Sequence, residues 1–429
     1  MKVAIVGKNG FGGREFIIAQ TIMRQNPDTQ LFLFPGNGGT AELGLEISLT
    51  TMESIVEKCA QLEVDYIIGG PEADFDEGLA DLAQLKNIPI FGPSREAARI
   101  ETNKLFTKKI LEIFDVPTAP YRYFPLTQLG EIPDFLNYRG LPAVIKANGL
   151  AAGKGVLVLN GQKGDLVRAR DFCEELKVGQ YGGSGRTGVL VEDFLEGEEA
   201  SLFFLVNTKE NILVPMRSAR DHKRALDGDL GPNTGGMGAY SENPILDERK
   251  ILEVQETIAR PVLDGLKALG ISYCGVLYLG LMISSESVSL VEINCRFGDP
   301  ELQVLAPRLQ SSLRDTLYSI ALGNSPGPLK WSEEQCVGVV LASKGYPGSY
   351  SKDLEILGLN SFPEDLLLVH AGTRREGQRI LSSGGRVLNI CAMGKDLSLA
   401  RSKIYSFLSQ NSLHFDGMQF RSDIAIQRN

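Results

Sequence analysis

The chain of 429 residues has no paired cysteines, no long apolar run and no excess of positive charge, and each absence argues against a class of protein. Its six cysteines are scattered without a C-x-x-C pair, which argues against a disulfide framework or a zinc site and predicts reduced thiols in a cytoplasmic protein. No apolar run approaches the roughly 18 residues that a membrane span needs. The net charge of −9 argues against nucleic acid as a partner, although local cationic pockets can still hold anionic ligands.

The first hundred residues alternate between apolar runs and helical patterns, which is typical of a parallel sheet with crossover helices. The predicted strands are residues 2–6, 31–34, 65–68 and 89–91, and the predicted helices are residues 14–23, 55–62 and 78–85. Ligands of such sheets bind beyond the carboxyl ends of the strands. The polar turns at those ends are therefore candidate binding loops.

The first of these turns, residues 7–15, has the sequence GKNGFGGRE. Its glycine spacing is not G-x-G-x-x-G, and the second strand ends in PGN and not in an acid, so nicotinamide dinucleotide binding is disfavoured. A glycine turn that enters a helix suits a phosphate, and Arg14 adds a fixed positive charge. A tight turn without a ligand is the alternative.

The middle of the chain carries two segments with the character of a nucleotide site. Residues 143–147, AVIKA, predict a strand that carries Lys146, and NGLAAGKG follows at 148–155. A Walker A loop is excluded because Lys154 precedes a glycine and Asn148 replaces the first glycine. A flexible flap over phosphates fits better, and a glycine turn before a hairpin is the alternative. Residues 189–195 predict a strand that leads into an acid-rich turn at 196–201, which is either functional or merely solvated.

Residues 288–294, VSLVEIN, predict a further strand. Side chains alternate along a strand, so Glu292 and Asn294 are expected on one face. A carboxylate and an amide oxygen are suitable ligands for magnesium. Arg296, two residues further, is expected over a transferring phosphate, and a helix is predicted from residue 299.

The segment from 221 to 240, DHKRALDGDLGPNTGGMGAY, contains five glycines and no apolar period. This composition argues against an amphipathic helix or a half-buried strand. A solvated loop is one interpretation. Loops longer than about 12–15 residues inside a domain are usually functional or disordered, however, and Asp221 and Lys223 beside bare backbone suit a charged ligand. We therefore predict an active-site loop.

The lysine strand, the glycine flap and the E-x-N strand, in this order, resemble an ATP-grasp ligase. Longer motifs, namely GLAAGKG, DHKR followed by GPNTGGMGAY, and EINCRFGDPE, resemble the glycinamide ribonucleotide synthetase family, the phosphoribosylamine–glycine ligases. PGNGGTA (35–41) and GYPGSY (345–350) extend the resemblance over essentially the whole chain. It implies an α/β fold with an N-terminal, Rossmann-like parallel-sheet domain (1–101), an ATP-grasp domain (102–328) with a mobile lid at about 121–187, and a small C-terminal α/β domain (329–429) that buttresses the core.

The resemblance also implies ATP-dependent ligation of glycine to phosphoribosylamine through glycyl phosphate, with Mg²⁺ or Mn²⁺, in a monomer or small homo-oligomer. The implied ATP-binding positions are Lys104, Lys146, Gly153, Lys154, Glu192, Asp193, Leu195 and Glu199. The positions implied for phosphoribosylamine are Gly12, Gly13, Arg14, Glu15, Asn37 and Glu72. Metal binding is implied for Glu292 and Asn294, and catalysis for Arg296, Asp221 and Lys223.

The chain departs from the family pattern in a few places. Its first turn carries three more residues before Gly12, Phe16 stands where the family has histidine, and Asn148 stands where it has aspartate. These differences leave open an ATP-grasp ligase that accepts a different amine. A catalytically inactive nucleotide-binding module is a further alternative, against which the intact metal and phosphate positions argue.

Overall fold

A computed structural model describes residues 1–150, 155–179 and 187–426. Within these ranges the chain has the predicted α/β fold, with an N-terminal parallel sheet followed by antiparallel sheets. None of the helices among the described residues is long and apolar enough to cross a membrane.

The N-terminal part is a five-stranded sheet in the order β3-β2-β1-β4-β5, and all its pairs are parallel. Its strands are β1 (Lys2–Val6), β2 (Gln30–Phe34), β3 (Leu45–Glu46), β4 (Tyr66–Gly69) and β5 (Ile90–Phe91). The helices are α1 (Gly13–Gln25), α2 (Met52–Gln61), α3 (Glu72–Asp76), α4 (Leu79–Leu85), α5 (Arg95–Thr102) and α6 (Lys104–Ile113). The predicted strands and helices of this part are confirmed within a few residues. The central strands β1, β2 and β4 are mostly apolar and buried, as is typical of a parallel sheet that helices cover on both faces.

A small unit follows, with the antiparallel strand order β6-β9-β7-β8. Its elements are β6 (Tyr121–Pro125), α7 (Ile132–Arg139), β7 (Ala143–Asn148), β8 (Val156–Leu159), α8 (Asp165–Lys177) and β9 (Gly188–Asp193). Phe124, Ile145 and Phe172 belong to a core of its own. We call this unit, Tyr121 to Asp193, the lid unit. The lid predicted at 121–187 lies within it, and its movement stays a prediction.

The central sheet has the antiparallel order β11-β10-β16-β17. Its elements and the short strands that follow β11 are β10 (Glu198–Asn207), β11 (Ile212–Pro215), β12 (Arg220–Asp221), β13 (Arg224–Leu226), β14 (Leu230–Asn233), β15 (Gly238–Ser241), α9 (Glu248–Val254), α10 (Arg260–Ala268), β16 (Cys274–Ile283), β17 (Val288–Asn294), α11 (Leu302–Leu305) and α12 (Leu313–Ala321). The acid-rich turn was predicted to extend to residue 201. It ends earlier because Glu198 and Glu199 already pair with β16.

The segment from 221 to 240 was predicted to be a loop without a half-buried strand, and this is wrong because it contains three short strands, β13, β14 and β15. Strands β13 and β14 form a short antiparallel hairpin, and β15 pairs with β12. The hairpin is mostly exposed and therefore shows no apolar alternation. Gly238 is required in β15, because a Cβ there would lie 2.6 Å from the carbonyl oxygen of Gly338.

The C-terminal part comprises β18 (Gln335–Ser343), β19 (Leu367–His370), β20 (Thr373–Glu376), β21 (Arg379–Ser382), β22 (Arg386–Gly394), α13 (Leu397–Leu408) and β23 (Met418–Gln419). Its six-stranded sheet has the order β12-β15-β18-β22-β19, with β23 also paired to β18. Two of the six strands thus come from the segment before residue 242. The sheet therefore joins the C-terminal part to the residues that were predicted to form an active-site loop.

Candidate active site

A cleft lies between the lid unit, the central sheet and the hairpin β13–β14. Twelve of the predicted site residues line it, and they come from parts of the sequence more than two hundred residues apart. They are Glu72, Lys104, Lys146, Glu192, Asp193, Leu195, Glu199, Asp221, Lys223, Glu292, Asn294 and Arg296. Gly153 and Lys154 lie outside the described residues.

Two lysines lie at the junction between α6, the lid unit and the central sheet. Asn103 caps α6 by accepting a hydrogen bond from the Phe106 amide at 3.0 Å, and Lys104 is the first residue of that helix. The Lys104 Nζ donates to the carbonyl oxygens of Ala147 and Gly149 at 3.0 and 3.2 Å. Burial lowers the pKa of Lys104. The charge is thereby held where β7 ends and the glycine-rich segment begins.

Lys146 is buried and shares a carboxylate with a lysine that the sequence analysis missed. The Oε2 atom of Glu192 lies 3.0 Å from Lys146 Nζ and 3.3 Å from Lys108 Nζ. Burial lowers the pKa of Lys108 to about 8. Lys108 follows Lys104 by one helical turn, so the helical spacing of two lysines was a signal that would have found it.

Lys223 lies at the base of the hairpin and faces the acids of two strands. Its Nζ is 3.1 Å from Glu199 Oε2 and 3.6 Å from Glu292 Oε1. Although burial acts in the opposite direction, these carboxylates and Asp221 raise the pKa of Lys223 well above its usual value. Lys223 in turn holds the pKa of Glu292 down to about 2, so that carboxylate stays charged. Burial raises the pKa of Asp221 to about 8.

Arg296 is held by two carboxylates from the N-terminal part. Its Nε lies 2.8 Å from Glu72 Oε2, and its Nη2 lies 3.2 Å from Glu101 Oε1. The other oxygen of Glu101 accepts a hydrogen bond from the Cys295 amide at 2.7 Å. Burial raises the pKa of Glu101 to about 7. Glu101 was not predicted from the sequence, because it lies near the end of α5 and stands in no motif.

Glu292 and Asn294 fit a divalent cation. Both line the cleft from β17, and both offer oxygen atoms, as Mg²⁺ and Mn²⁺ prefer. Asn294 Oδ1 accepts a hydrogen bond from Arg296 Nη2 at 3.1 Å. The described residues contain no group of three or more His, Cys, Asp or Glu that could hold a metal.

A buried hydrogen-bond network forms the base of the cleft beside Asp221. Tyr278 Oη donates to Glu301 Oε1 at 2.6 Å, and Ser201 Oγ lies 2.9 Å from Tyr278 Oη. Tyr278 and Glu301 line the cleft, but neither was predicted as a site residue. Glu301 belongs to the EINCRFGDPE motif, so its position in that motif was the available signal.

The charged side chains of the first turn are engaged in hydrogen bonds with other groups of the protein. Glu15 is fully buried, and its two oxygens accept hydrogen bonds from Arg14 Nε at 2.7 Å and the Gly12 amide at 2.8 Å. Arg14 Nη1 also donates to the Phe297 carbonyl oxygen at 3.1 Å. Gly13 permits close packing, because a Cβ there would lie 2.5 Å from the side-chain nitrogen of Gln303. The turn therefore adjoins the cleft without lining it.

Asn37 joins the N-terminal sheet to the C-terminal part. Its Nδ2 donates to the carbonyl oxygens of His370 and Ala371 at 2.9 and 3.3 Å. Phe16 is buried and packs against the His370 ring, with centroids 5.4 Å apart. The roles predicted for Asn37 and for the first turn in substrate binding stay predictions.

Comparison with known proteins agrees with this geometry. The family models of phosphoribosylglycinamide synthetase match the chain as an N domain at residues 1–101, an ATP-grasp (A) domain at 102–302 and a C domain at 336–427. The chain belongs to the phosphoribosylglycinamide synthetase family. A phosphoribosylamine–glycine ligase of Rhizobium meliloti is 40% identical over 99% of this chain and 98% of its own length. The predicted resemblance is confirmed.

Solved structures show the same fold. The crystal structure of a phosphoribosylamine–glycine ligase from Thermotoga maritima has a TM-score of 0.83 and 30% identity, covering 99% of this chain and 100% of that one. A biotin carboxylase from Campylobacter jejuni has a TM-score of 0.71 at 14% identity, covering 98% of this chain and 92% of its own. The second likeness supports the ATP-grasp fold alone. The chain is therefore an ATP-using enzyme of the ligase class.

Proposed function

We propose that the chain joins glycine to 5-phosphoribosylamine at the expense of ATP, giving glycinamide ribonucleotide, ADP and phosphate. The observation that carries this proposal is the cleft, which brings two lysines, the Glu292–Asn294 pair and Arg296 together in a chain whose relatives match over their full length. A ligase for a different amine is not favoured, because the full-length curated relatives are phosphoribosylamine–glycine ligases.

The first step is attack of the glycine carboxylate on the γ-phosphorus of ATP. A C–O–P bond forms to give glycyl phosphate, and ADP leaves. Phosphoryl transfer needs positioning and charge neutralisation more than a protein nucleophile. Lys104 and Lys146 are placed to neutralise phosphate oxygens, and Arg296 is placed to stabilise the transferring group. Glu72 and Glu101 fix the orientation of the Arg296 guanidinium.

The second step is attack of the phosphoribosylamine nitrogen on the acyl carbon of glycyl phosphate. The amide C–N bond forms, phosphate leaves, and the attacking nitrogen loses one proton. The carboxyl groups of Asp221 and Glu301 line the cleft and offer oxygen acceptors to the ammonium group of glycine, which takes no part in the reaction. We assign Asp221 and Lys223 to the positioning of glycine and its phosphorylated form.

Glu292 and Asn294 would hold the divalent metal, Mg²⁺ or Mn²⁺. Held there, a divalent cation would supply positive charge that offsets the negative charge of the transferring phosphoryl group. At the other end of the nucleotide, we propose that Asp193 and Leu195 contact adenine and Glu199 the ribose. The Asp193 amide already donates to Pro120 at 3.0 Å, so its carbonyl oxygen is the group left for such a contact.

An acyl phosphate hydrolyses in water, so the cleft must close during the reaction. We propose that the lid unit performs this closure, because a unit with its own core can move as one body. The glycine-rich segment after Asn148 would then cover the phosphates. Hydrogen exchange in β8 should slow when a non-hydrolysable ATP analogue and magnesium are added, and unchanged exchange at saturation would contradict closure.

We further propose that Gly12, Gly13, Arg14, Glu15, Asn37 and Glu72 form the sugar-phosphate end of the site. The N-terminus of α1 supports this, because its amides and dipole favour an anion.

The domain limits at 101/102 and 328/329 stay proposals, and so does a monomer or small oligomer. The six cysteines are free, which supports a reducing compartment, so we propose a cytoplasmic location.

The test is ADP release by the purified chain with glycine and freshly prepared phosphoribosylamine, together with the mass of the product. We expect ADP and glycinamide ribonucleotide in equal amounts, and only when both substrates are present. ADP release that needs glycine but not phosphoribosylamine, or that is equally fast with another amine, would overturn the assigned substrate.

A further inference from the structure

The hairpin β13–β14 carries Lys223 at its base. The Lys223 carbonyl oxygen accepts hydrogen bonds from the Thr234 amide at 2.7 Å and from Thr234 Oγ1 at 2.9 Å. The position of the Lys223 ammonium group, between Glu199 and Glu292, therefore depends on how the hairpin is held. The outer part of the hairpin is exposed, with Leu226 and Leu230 largely in solvent.

The C-terminal segment from residue 418 to residue 426 holds the hairpin through Arg421. This arginine is only 1% exposed. Its Nη1 donates to the Arg224 carbonyl oxygen at 3.1 Å, and its Nη2 lies 2.9 Å from Asp229 Oδ1. Its Nε and Nη2 donate to the two oxygens of Asp423 at 2.7 and 2.8 Å. One guanidinium thus connects the start of β13 and the turn that follows β13 with the C-terminal segment.

Residues next to Arg421 form further hydrogen bonds between the C-terminal segment and the hairpin region. The Ser422 amide donates to Asp227 Oδ1 at 2.8 Å, and the Gly228 amide donates to Asp423 Oδ2 at 2.8 Å. The Ala425 amide donates to His222 Nε2 at 3.3 Å. Burial lowers the pKa of His222 to about 4, so its ring is neutral near pH 7 and Nε2 is available as an acceptor.

The segment is itself anchored on α13. Tyr405 Oη donates to the Arg421 carbonyl oxygen at 2.6 Å, and Arg401 Nε donates to the Ile424 carbonyl oxygen at 3.0 Å. A continuous series of hydrogen bonds therefore runs from a helix of the C-terminal part, through Arg421, to the hairpin that presents Lys223. None of the residues between 418 and 426 lines the cleft.

We propose that Arg421 is a positioning residue for ligation: it holds the hairpin so that Lys223 faces Glu199 and Glu292 in the cleft. The proposal rests on the proposed function, because it takes Lys223 to act on the bound reactants. A buried arginine is costly to desolvate and is weak support for a purely stabilising role. Its planar fork is suited to fixing several acceptors in one geometry, which a lysine cannot do.

The experiment compares Arg421→Ala and Arg421→Lys in the full chain with Arg379→Ala as the matched control. Arg379 also lies in the C-terminal part, but it pairs with Glu376 of its own hairpin at 2.7 Å. Each protein is assayed well below its measured unfolding midpoint. Misplacement of a positioned group by about 1 Å can cost up to a hundredfold in rate. We expect Arg421→Ala to lose about tenfold in kcat, with the KM for ATP within about twofold.

Hydrogen exchange is the second readout. Exchange at Thr234 and along β13–β14 should speed up in Arg421→Ala and should be partly restored in Arg421→Lys, with kcat following the same order. Arg379→Ala should change neither. If Arg421→Ala fails to fold, Asp229→Asn removes the negative charge from the same contact on the exposed side of the hairpin. It should shift kcat and exchange in the same direction by a smaller amount.

A lower unfolding midpoint with unchanged kcat and unchanged hairpin exchange would overturn the proposal, since Arg421 would then serve stability alone. A loss of kcat without faster hairpin exchange would overturn it too. Failure of the unaltered chain to ligate glycine to phosphoribosylamine would instead overturn the proposed function. The exchange measurements would still show whether Arg421 holds the hairpin.

Discussion

The cleft and the first glycine turn place their charged groups in opposite ways. In the cleft, Glu292 and Lys223 are partly exposed, and their charged atoms lie 3.6 Å apart. In the first turn, Arg14 and Glu15 are buried and pair with each other at 2.7 Å. Both regions look equally polar in the sequence. Charged groups of the cleft are therefore accessible to a charged ligand, whereas Arg14 and Glu15 of the turn are engaged with each other.

The strongest test of this contrast is on the cleft side. Glu292→Ala removes a charged carboxylate that faces both the metal position and Lys223, and metal neutralisation contributes several kcal/mol to phosphoryl transfer. We expect turnover to fall by about a hundredfold or more, with the fold retained. Initial rates against magnesium concentration provide the measurement. Glu286→Ala, which alters an exposed acid before the same strand, is the control, and near-normal turnover of Glu292→Ala would remove the metal assignment.

On the turn side, Arg14→Ala should act on one substrate. The change removes hydrogen bonds to Glu15 and to the Phe297 carbonyl oxygen. The backbone amides at the start of α1 are then no longer held in position. We expect the KM for phosphoribosylamine to rise by about tenfold, as for loss of about 1.4 kcal/mol of binding, while the KM for ATP changes little. Lys8→Ala, at the outside of the same turn, serves as control. A selective rise in the KM for ATP would place the sugar phosphate elsewhere.

A smaller effect is expected where the lid unit meets α6. Asn148 Oδ1 accepts from the Leu105 amide at 3.0 Å, and its Nδ2 donates to Thr187 Oγ1 at 2.7 Å. Asn148→Ala leaves an amide beside Lys104 without its acceptor, which costs about 1–3 kcal/mol. We expect the KM for ATP to rise several-fold. Asn148→Asp keeps the acceptor and can receive a hydrogen bond from the Thr187 hydroxyl, so a rise as large as that of the alanine variant would contradict this account.

The smallest expected effect is on the pH dependence of the free energy of unfolding, through His370, whose ring packs against Phe16 after the first turn. Burial, with a contribution from Arg375, lowers the pKa of His370 to about 4. Between about pH 6.5 and 4 the unfolded chain therefore takes up a proton that the folded chain does not, and the free energy of unfolding falls as pH falls. His222 acts in the same direction, because its pKa is also about 4. His370→Gln should reduce the slope of urea stability against pH without abolishing it, and an unchanged slope would exclude His370 as a contributor.

Sequence patterns predicted the helices and strands that are determined by residues close together in the chain. The apolar run of β1 and the alternation that places Glu292 and Asn294 on one strand depend only on neighbouring residues. Lys146 and Glu192 were each predicted to bind ATP, but their pairing at 3.0 Å across β7 and β9 was not. Glu101 and Arg421 were missed because their importance comes from partners nearly two hundred residues away. The hairpin was missed because exposed strands need no apolar alternation.

The shared sheet has a consequence for the chain as it leaves the ribosome. The edge of β15 pairs with β18, in a register that joins Gly238 to Val339 and Ser241 to Cys336. Domains usually fold in order of synthesis, yet β15 emerges well before its partner. A nascent or truncated chain that stops before Gln335 therefore carries an open strand edge, which is a template for pairing with other chains. Synthesis of β18 is what covers this edge of β15.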